Sequence, residues 1–213
     1  MVERMVSRAD DALIVVDMQN DFVRGGALAV PGGETITPLV NRLIGAFVQS
    51  VLTQDWHPPG HASFASSHAN VKLFERIALP YGEQVLWPDH CLQGTSGAAL
   101  VSGLDVKSPF LILRKGMHAG VDSYSAFLEA DRVTTTGLAA LLTARGVSRV
   151  FVCGLATDFC VSFTALDARA AGFVTFVIED ACRAIDADGS LETAYACMAE
   201  AGVERIQSSA ILA

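Results

Sequence analysis

The sequence predicts an α/β fold in three layers, α/β/α, with a mainly parallel sheet of roughly six strands. Three observations predict it. Short apolar runs alternate with helix-like patterns along the chain. Several runs are nearly continuous in Ile, Val, Leu and Phe, as strands covered on both faces should be. Glycines close two of the helical patterns, where the chain must turn back toward the sheet.

In order, the first strand is expected over residues 12–17, an apolar run ending in aspartate. A helical pattern over 35–49 leads to a second strand at 50–55. A third strand is expected at 110–115. The remaining elements alternate: helix 137–145, strand 149–154, helix 158–171, strand 174–180, helix 191–201 and strand 203–207. Gly146 and Gly172 follow two of the helices as C-terminal caps. Strand, helix, strand in repetition implies parallel pairing, because parallel neighbours need a long crossover. Residues 22–33 and 56–90 read as long loops, and long loops in a domain often carry function.

At 213 residues, 51% of them hydrophobic, the chain is expected to form one domain spanning 1–213 with a sizeable core. A net charge of -8 argues against nucleic acid as a partner, since phosphate binding needs a basic face. The apolar runs are too short to cross a membrane. The N-terminus lacks the apolar core of a signal peptide. The five cysteines, Cys91, Cys153, Cys160, Cys182 and Cys197, are odd in number and unclustered, so no disulfide framework is expected and a reducing cytoplasm is the expected location. Exposed apolar helix faces are compatible with a homo-oligomer.

Reactive residues gather at strand ends, where open α/β sheets build their sites. Asp17, Asp55, Lys115 and the turn before Cys160 occupy four such ends. Cys160 closes a strand–turn–helix passage. A helix N-terminus there favours a thiolate and aims backbone amides at one point, as an oxyanion hole requires. A cysteine alone is more often a small buried hydrophobe. Asp17, in DMQNDF, is by itself as readily a cap as a base. Lys115 ends an apolar strand, and beside Asp17 it would anchor the carboxylate and ease a nearby thiolate. The three together suit a base, an electrostatic anchor and a nucleophile. Asp55 and His57 in DWHP share one face of an extended segment, with His61 four residues on and His90 in WPDHC. One carboxylate plus imidazoles suits Zn²⁺, Fe²⁺ or Mn²⁺.

Taken in order, DMQNDF, DWHP, WPDHC, the lysine before Gly116, DSYSAF and GLATDFCV resemble the metal-containing nicotinamidase branch of the isochorismatase-like cysteine hydrolases. The resemblance covers about residues 12–186. It implies the isochorismatase-like version of the fold. It implies Cys160 as nucleophile, Asp17 as general base and acid, and Lys115 as the third catalytic residue. Ala156 and Cys160 would supply the oxyanion amides, and the Leu155–Ala156 bond would be cis. Asp55, His57 and His90 would hold one divalent metal ion, Zn²⁺ first, with His61 a ligand in some members only. Phe22, Trp87 and Tyr124 would wall the substrate pocket. The implied activity is deamidation of nicotinamide to nicotinate and ammonia through a thioester, with pyrazinamide a further substrate. A related amidase acting on N-carbamoyl or other small amides is the alternative. His118 fits no part of the pattern and is expected to be exposed.

Overall fold

Six strands pair in parallel in the order β5-β2-β1-β6-β7-β8 in a computed structural model that describes residues 8–212. They are β1 (Asp11–Val16), β2 (Gln49–Asp55), β5 (Leu111–Lys115), β6 (Arg149–Leu155), β7 (Val174–Arg183) and β8 (Glu204–Ile206). Helices α1 (Thr37–Ala46), α2 (Leu138–Ala144), α3 (Ser162–Ala170) and α4 (Ser190–Glu200) flank the sheet. The predicted fold class therefore holds, and all six predicted strands and four predicted helices are present.

β1 is buried along its whole length: residues 12–16 are unbroken apolar, as strands covered on both faces require, and the buried Asp11 is paired with Arg149 at 2.6 Å. β2 is equally buried although four of its seven residues are uncharged polar ones, Gln49, Ser50, Thr53 and Gln54. Partners compensate three of them: Gln49 Nε2 donates to Ala9 O at 2.9 Å, Gln54 Nε2 to Ala98 O at 2.7 Å, and Thr53 Oγ1 to Asp17 Oδ1 at 2.5 Å.

The boundaries differ where tertiary contacts outrank local pattern. The helical pattern expected through residue 49 stops at Ala46, because Phe47 turns extended and packs on Phe151 at 5.0 Å between ring centroids. The helix expected from 158 begins as a π-helical turn, Thr157–Val161, before α3. Gly146 and Gly172 take positive φ, and the amides after them reach back to Leu142 O and Ala168 O, as capping requires. The long connection over 56–90 is less irregular than expected. It contains an antiparallel hairpin, β3 (Arg76–Leu79) with β4 (Gly82–Val85). No helix among the described residues is long and apolar enough to cross a membrane.

Candidate active site

Sheet register builds the site. β2 lies between β1 and β5, and Asp55 stands directly opposite Lys115. Asp17 follows β1 with a left-handed backbone, φ +48°, which aspartate tolerates better than most residues. Two hydrogen bonds to one hydroxyl hold it there: Asp17 N donates to Thr53 Oγ1 at 3.1 Å, and Thr53 Oγ1 donates to Asp17 Oδ1 at 2.5 Å. Gln19 ties the same strand ends together, accepting from Asp55 N at 2.7 Å and donating to Asp55 O at 2.8 Å. The fourth contributor is β6. After it come the Leu155–Ala156 peptide, which is cis, and the π-helical turn that carries Cys160.

These pieces converge on the Lys115 ammonium, which is fully buried. It lies 2.8 Å from Asp17 Oδ2 and donates to Asp55 Oδ1 at 2.5 Å, Ser123 O at 2.9 Å and Cys160 Sγ at 3.5 Å. Asp17 Oδ2 is fully buried, and its ion pair with Lys115 is short but bent away from ideal hydrogen-bond geometry. One oxygen each from Asp17 and Asp55 and the Cys160 sulfur lie within 4.8 Å of one another. A buried carboxylate oxygen close to a thiol, with an ammonium beside both, is placed to receive the thiol's proton.

The electrostatics sharpen the roles. Burial would strip the proton from Lys115, but the Asp17 and Asp55 carboxylates outweigh it and hold the ammonium well above its ordinary range. Burial raises Asp17 above the usual carboxylate value against the pull of Lys115, which makes it the more basic of the two carboxylates. Burial also works on Asp55, but Lys115 and His57 outweigh it and keep that group ionised. The Cys160 thiol goes up: desolvation dominates, and Lys115 offsets only part of it. The thiolate expected from a helix N-terminus is thus not the resting form, because the sulfur is too well buried.

Beside this cluster stands a group suited to a metal. Asp55 Oδ2 lies 3.5 Å from His57 Nε2 and 3.9 Å from His90 Nε2. His57 Nδ1 donates to Gly116 O at 2.9 Å and His90 Nδ1 to Pro88 O at 2.7 Å. A carbonyl only accepts, so each Nδ1 keeps its hydrogen and each Nε2 is turned toward Asp55. Burial works against the charge on His57, but the Asp55 carboxylate outweighs it and raises that imidazole, so His57 Nε2 must release a proton before it can serve as a ligand. Burial, then the neighbouring His57, lowers His90 to about 4, which favours the neutral ligand form. A buried carboxylate oxygen with two oriented imidazoles fits a divalent cation. Gly116 belongs to the same construction, because a Cβ there would sit 2.5 Å from His57 Cε1. His61 lies against His57, 4.2 Å between ring centroids, but its nitrogens face Ser63 Oγ at 2.7 Å and Val121 O at 3.3 Å.

A narrow cleft opens onto Cys160, Asp55, His57 and His90. Phe22, Trp87 and Tyr124, the residues the resemblance assigns to a pocket wall, line it, and so does Ala156, which the resemblance assigns an oxyanion amide. Leu28, Asp122, Phe159 and Ile185 line it as well and were not foreseen. Phe159 had a signal, since it precedes Cys160 in a motif already singled out. Thr53 had one too: it lies two residues before Asp55 in a strand and so shares its face. His118 is exposed, as expected, and pairs with Glu129 at 2.8 Å.

Fold and cluster together define a class: a parallel α/β hydrolase whose thiol, carboxylate and ammonium meet at the carboxyl edge of the sheet. The isochorismatase domain model of protein families matches residues 11–210, and the chain belongs to that family. Within it the chain is similar to nicotinamidases. It is 54% identical to the nicotinamidase of Acinetobacter baylyi over 213 residues, 100% of each chain. PnC1 from L. infantum, solved in complex with nicotinate, superposes with a TM-score of 0.86 at 40% identity, covering 98% of both chains. The pyrazinamidase of Pyrococcus horikoshii, solved in complex with zinc, gives 0.75 at 37% identity, covering 93% of this chain and 99% of that one.

Proposed function

We propose that this chain hydrolyses nicotinamide to nicotinate and ammonia, and pyrazinamide likewise, as a single cytoplasmic domain spanning residues 1–213. One observation carries the reading: the Asp17 carboxylate, the Lys115 ammonium and the Cys160 sulfur share one buried cluster beside Asp55, His57 and His90. Similarity to nicotinamidases along the full chain supports it.

Asp17 takes the Cys160 proton as the sulfur attacks the amide carbonyl. The backbone amides of Ala156 and Cys160 receive the developing oxyanion; one such donor is typically worth ~10²–10³ in rate. Asp17 then passes the proton to the departing nitrogen, the C–N bond breaks, and ammonia leaves a thioester on Cys160. Water attacks the thioester, Asp17 takes its proton, and the sulfur recovers one as nicotinate departs. Lys115 stays cationic throughout and steadies whichever of Asp17 and Cys160 is negative. Phe22, Trp87 and Tyr124 flank the ring, and Phe159 adds to that wall. Asp55, His57 and His90 would hold a divalent ion, which we assign as Zn²⁺, with His61 beside them. When bound, that ion supplies a Lewis-acidic contact for the ring nitrogen.

Ammonia release from nicotinamide, measured with metal content, tests the reading. The unaltered protein should turn over, and Cys160→Ala should not, while keeping its circular dichroism spectrum. Ammonia release by a folded Cys160→Ala protein would refute the thioester route.

A further inference from the structure

Residues 72–86 lie outside the central sheet and take no part in the chemistry above. Within them, one side chain of the β3–β4 hairpin is out of character. Gln84 is 1% exposed on a strand whose neighbours Gly82 and Glu83 face solvent. Its Nε2 donates to Asp122 Oδ2 at 2.9 Å and to Val85 O at 2.7 Å, and lies 3.1 Å from Tyr124 Oη. Its Oε1 accepts from the Tyr81 hydroxyl at 3.1 Å. Trp87 Nε1 donates to the same Tyr124 oxygen at 2.8 Å.

Asp122, Tyr124 and Trp87 all line the reacting cleft. Gln84 therefore fastens the hairpin to its wall from behind. Phe74, just before the hairpin, meets Trp87 edge-on with ring centroids 6.0 Å apart. It does so at φ +67°, which a bulky side chain rarely adopts without a constraint from its surroundings. Tyr124 is also a partition. Two outer clefts reach it, one past Glu83 and Phe163, the other past Tyr81 and Gln84. An unfastened Tyr124 would have room to move into either.

We propose that Gln84 is a positioning residue: by binding the hairpin to Asp122 and Tyr124, it fixes the aromatic wall against which the substrate ring packs. The proposal rests on the nicotinamide reading for its substrate. It acts on ring binding and leaves the Cys160 chemistry untouched, so it separates KM from kcat.

Gln84→Leu keeps most of the bulk and removes every hydrogen bond. Amide hydrogen exchange over 72–87 should accelerate in this variant. KM for nicotinamide should rise on the order of ten-fold, with kcat within about three-fold of the unaltered enzyme. Because Gln84 and the Tyr124 hydroxyl hold the same wall, Gln84→Leu combined with Tyr124→Phe should raise KM by less than the product of the two single changes. If Gln84→Leu does not fold, Gln84→Glu carries the same expectations, since it loses the N–H donors and sets a carboxylate against Asp122. Unchanged exchange over 72–87, an unchanged KM, a loss confined to kcat, or effects that multiply in the double variant would each overturn the proposal. Absence of turnover by the unaltered enzyme would count against the proposed reaction instead, and the exchange measurement would still decide the anchor.

Discussion

Lys115 is fully buried between two carboxylates and a sulfur, where charges are screened little, so its charge governs the others. Lys115→Met leaves Asp17 and Asp55 facing each other as buried like charges. Breaking a buried pair in this way costs about 3–5 kcal/mol. The variant should unfold at lower denaturant concentration, and Cys160 should react more slowly with iodoacetamide. An unchanged alkylation rate would remove the electrostatic role. Asp17→Asn keeps the shape but cannot shuttle a proton. Ammonia release should fall by ~10²–10⁴. The thiol itself also makes a prediction. Burial raises its pKa, so the neutral form predominates at pH 7 and alkylation should climb on the alkaline side. Its midpoint should lie above the ordinary thiol value of about 8.5. A mass-spectrometric alkylation profile with a midpoint below 7 would reveal a resting thiolate instead.

Elements were legible in the sequence where burial on both faces left an unambiguous apolar run, as in β1 and β6, and less so elsewhere. β3 and β4 were read as loop because Arg76–Leu79 and Gly82–Val85 are short and mostly solvent-facing, so no apolar face marks them. The turn before Cys160 was legible as strand–turn–helix, but its π-helical start was not, since no propensity distinguishes it from an α-helical one. Gly154 shows what composition conceals. It sits where β6 passes β1, at φ +115°, and a Cβ there would lie 2.1 Å from Val16 O. That neighbour is backbone in a central strand and cannot swing away. Gly154→Ala should therefore destabilise the fold by at least about 1–3 kcal/mol. Thermal unfolding monitored by circular dichroism would show it, and an unchanged midpoint would mean the two strands can separate locally without penalty.

Across the whole molecule, the residues of the site were legible and their mutual support was not. Asp17, Asp55, Lys115 and Cys160 announced themselves as reactive groups at strand ends. Thr53 beneath Asp17, and Ser123 and Asp55 around the ammonium, depend on register and on a loop's path between distant segments. The same architecture separates two tasks. The sulfur, Asp17 and Lys115 form one side of the cluster; His57 and His90 form the other, and Asp55 alone touches both, through Oδ1 to Lys115 and Oδ2 toward the imidazoles. Removing a bound metal should therefore disturb ring binding first. After chelation, the equilibrium affinity for nicotinate should weaken by more than the iodoacetamide rate of Cys160 falls. Restoring Zn²⁺ should recover the affinity. If chelation instead slowed alkylation as much as it weakened binding, Asp55 would be coupling the two halves through Lys115, and the ion would be acting on the nucleophile as well as on the ring.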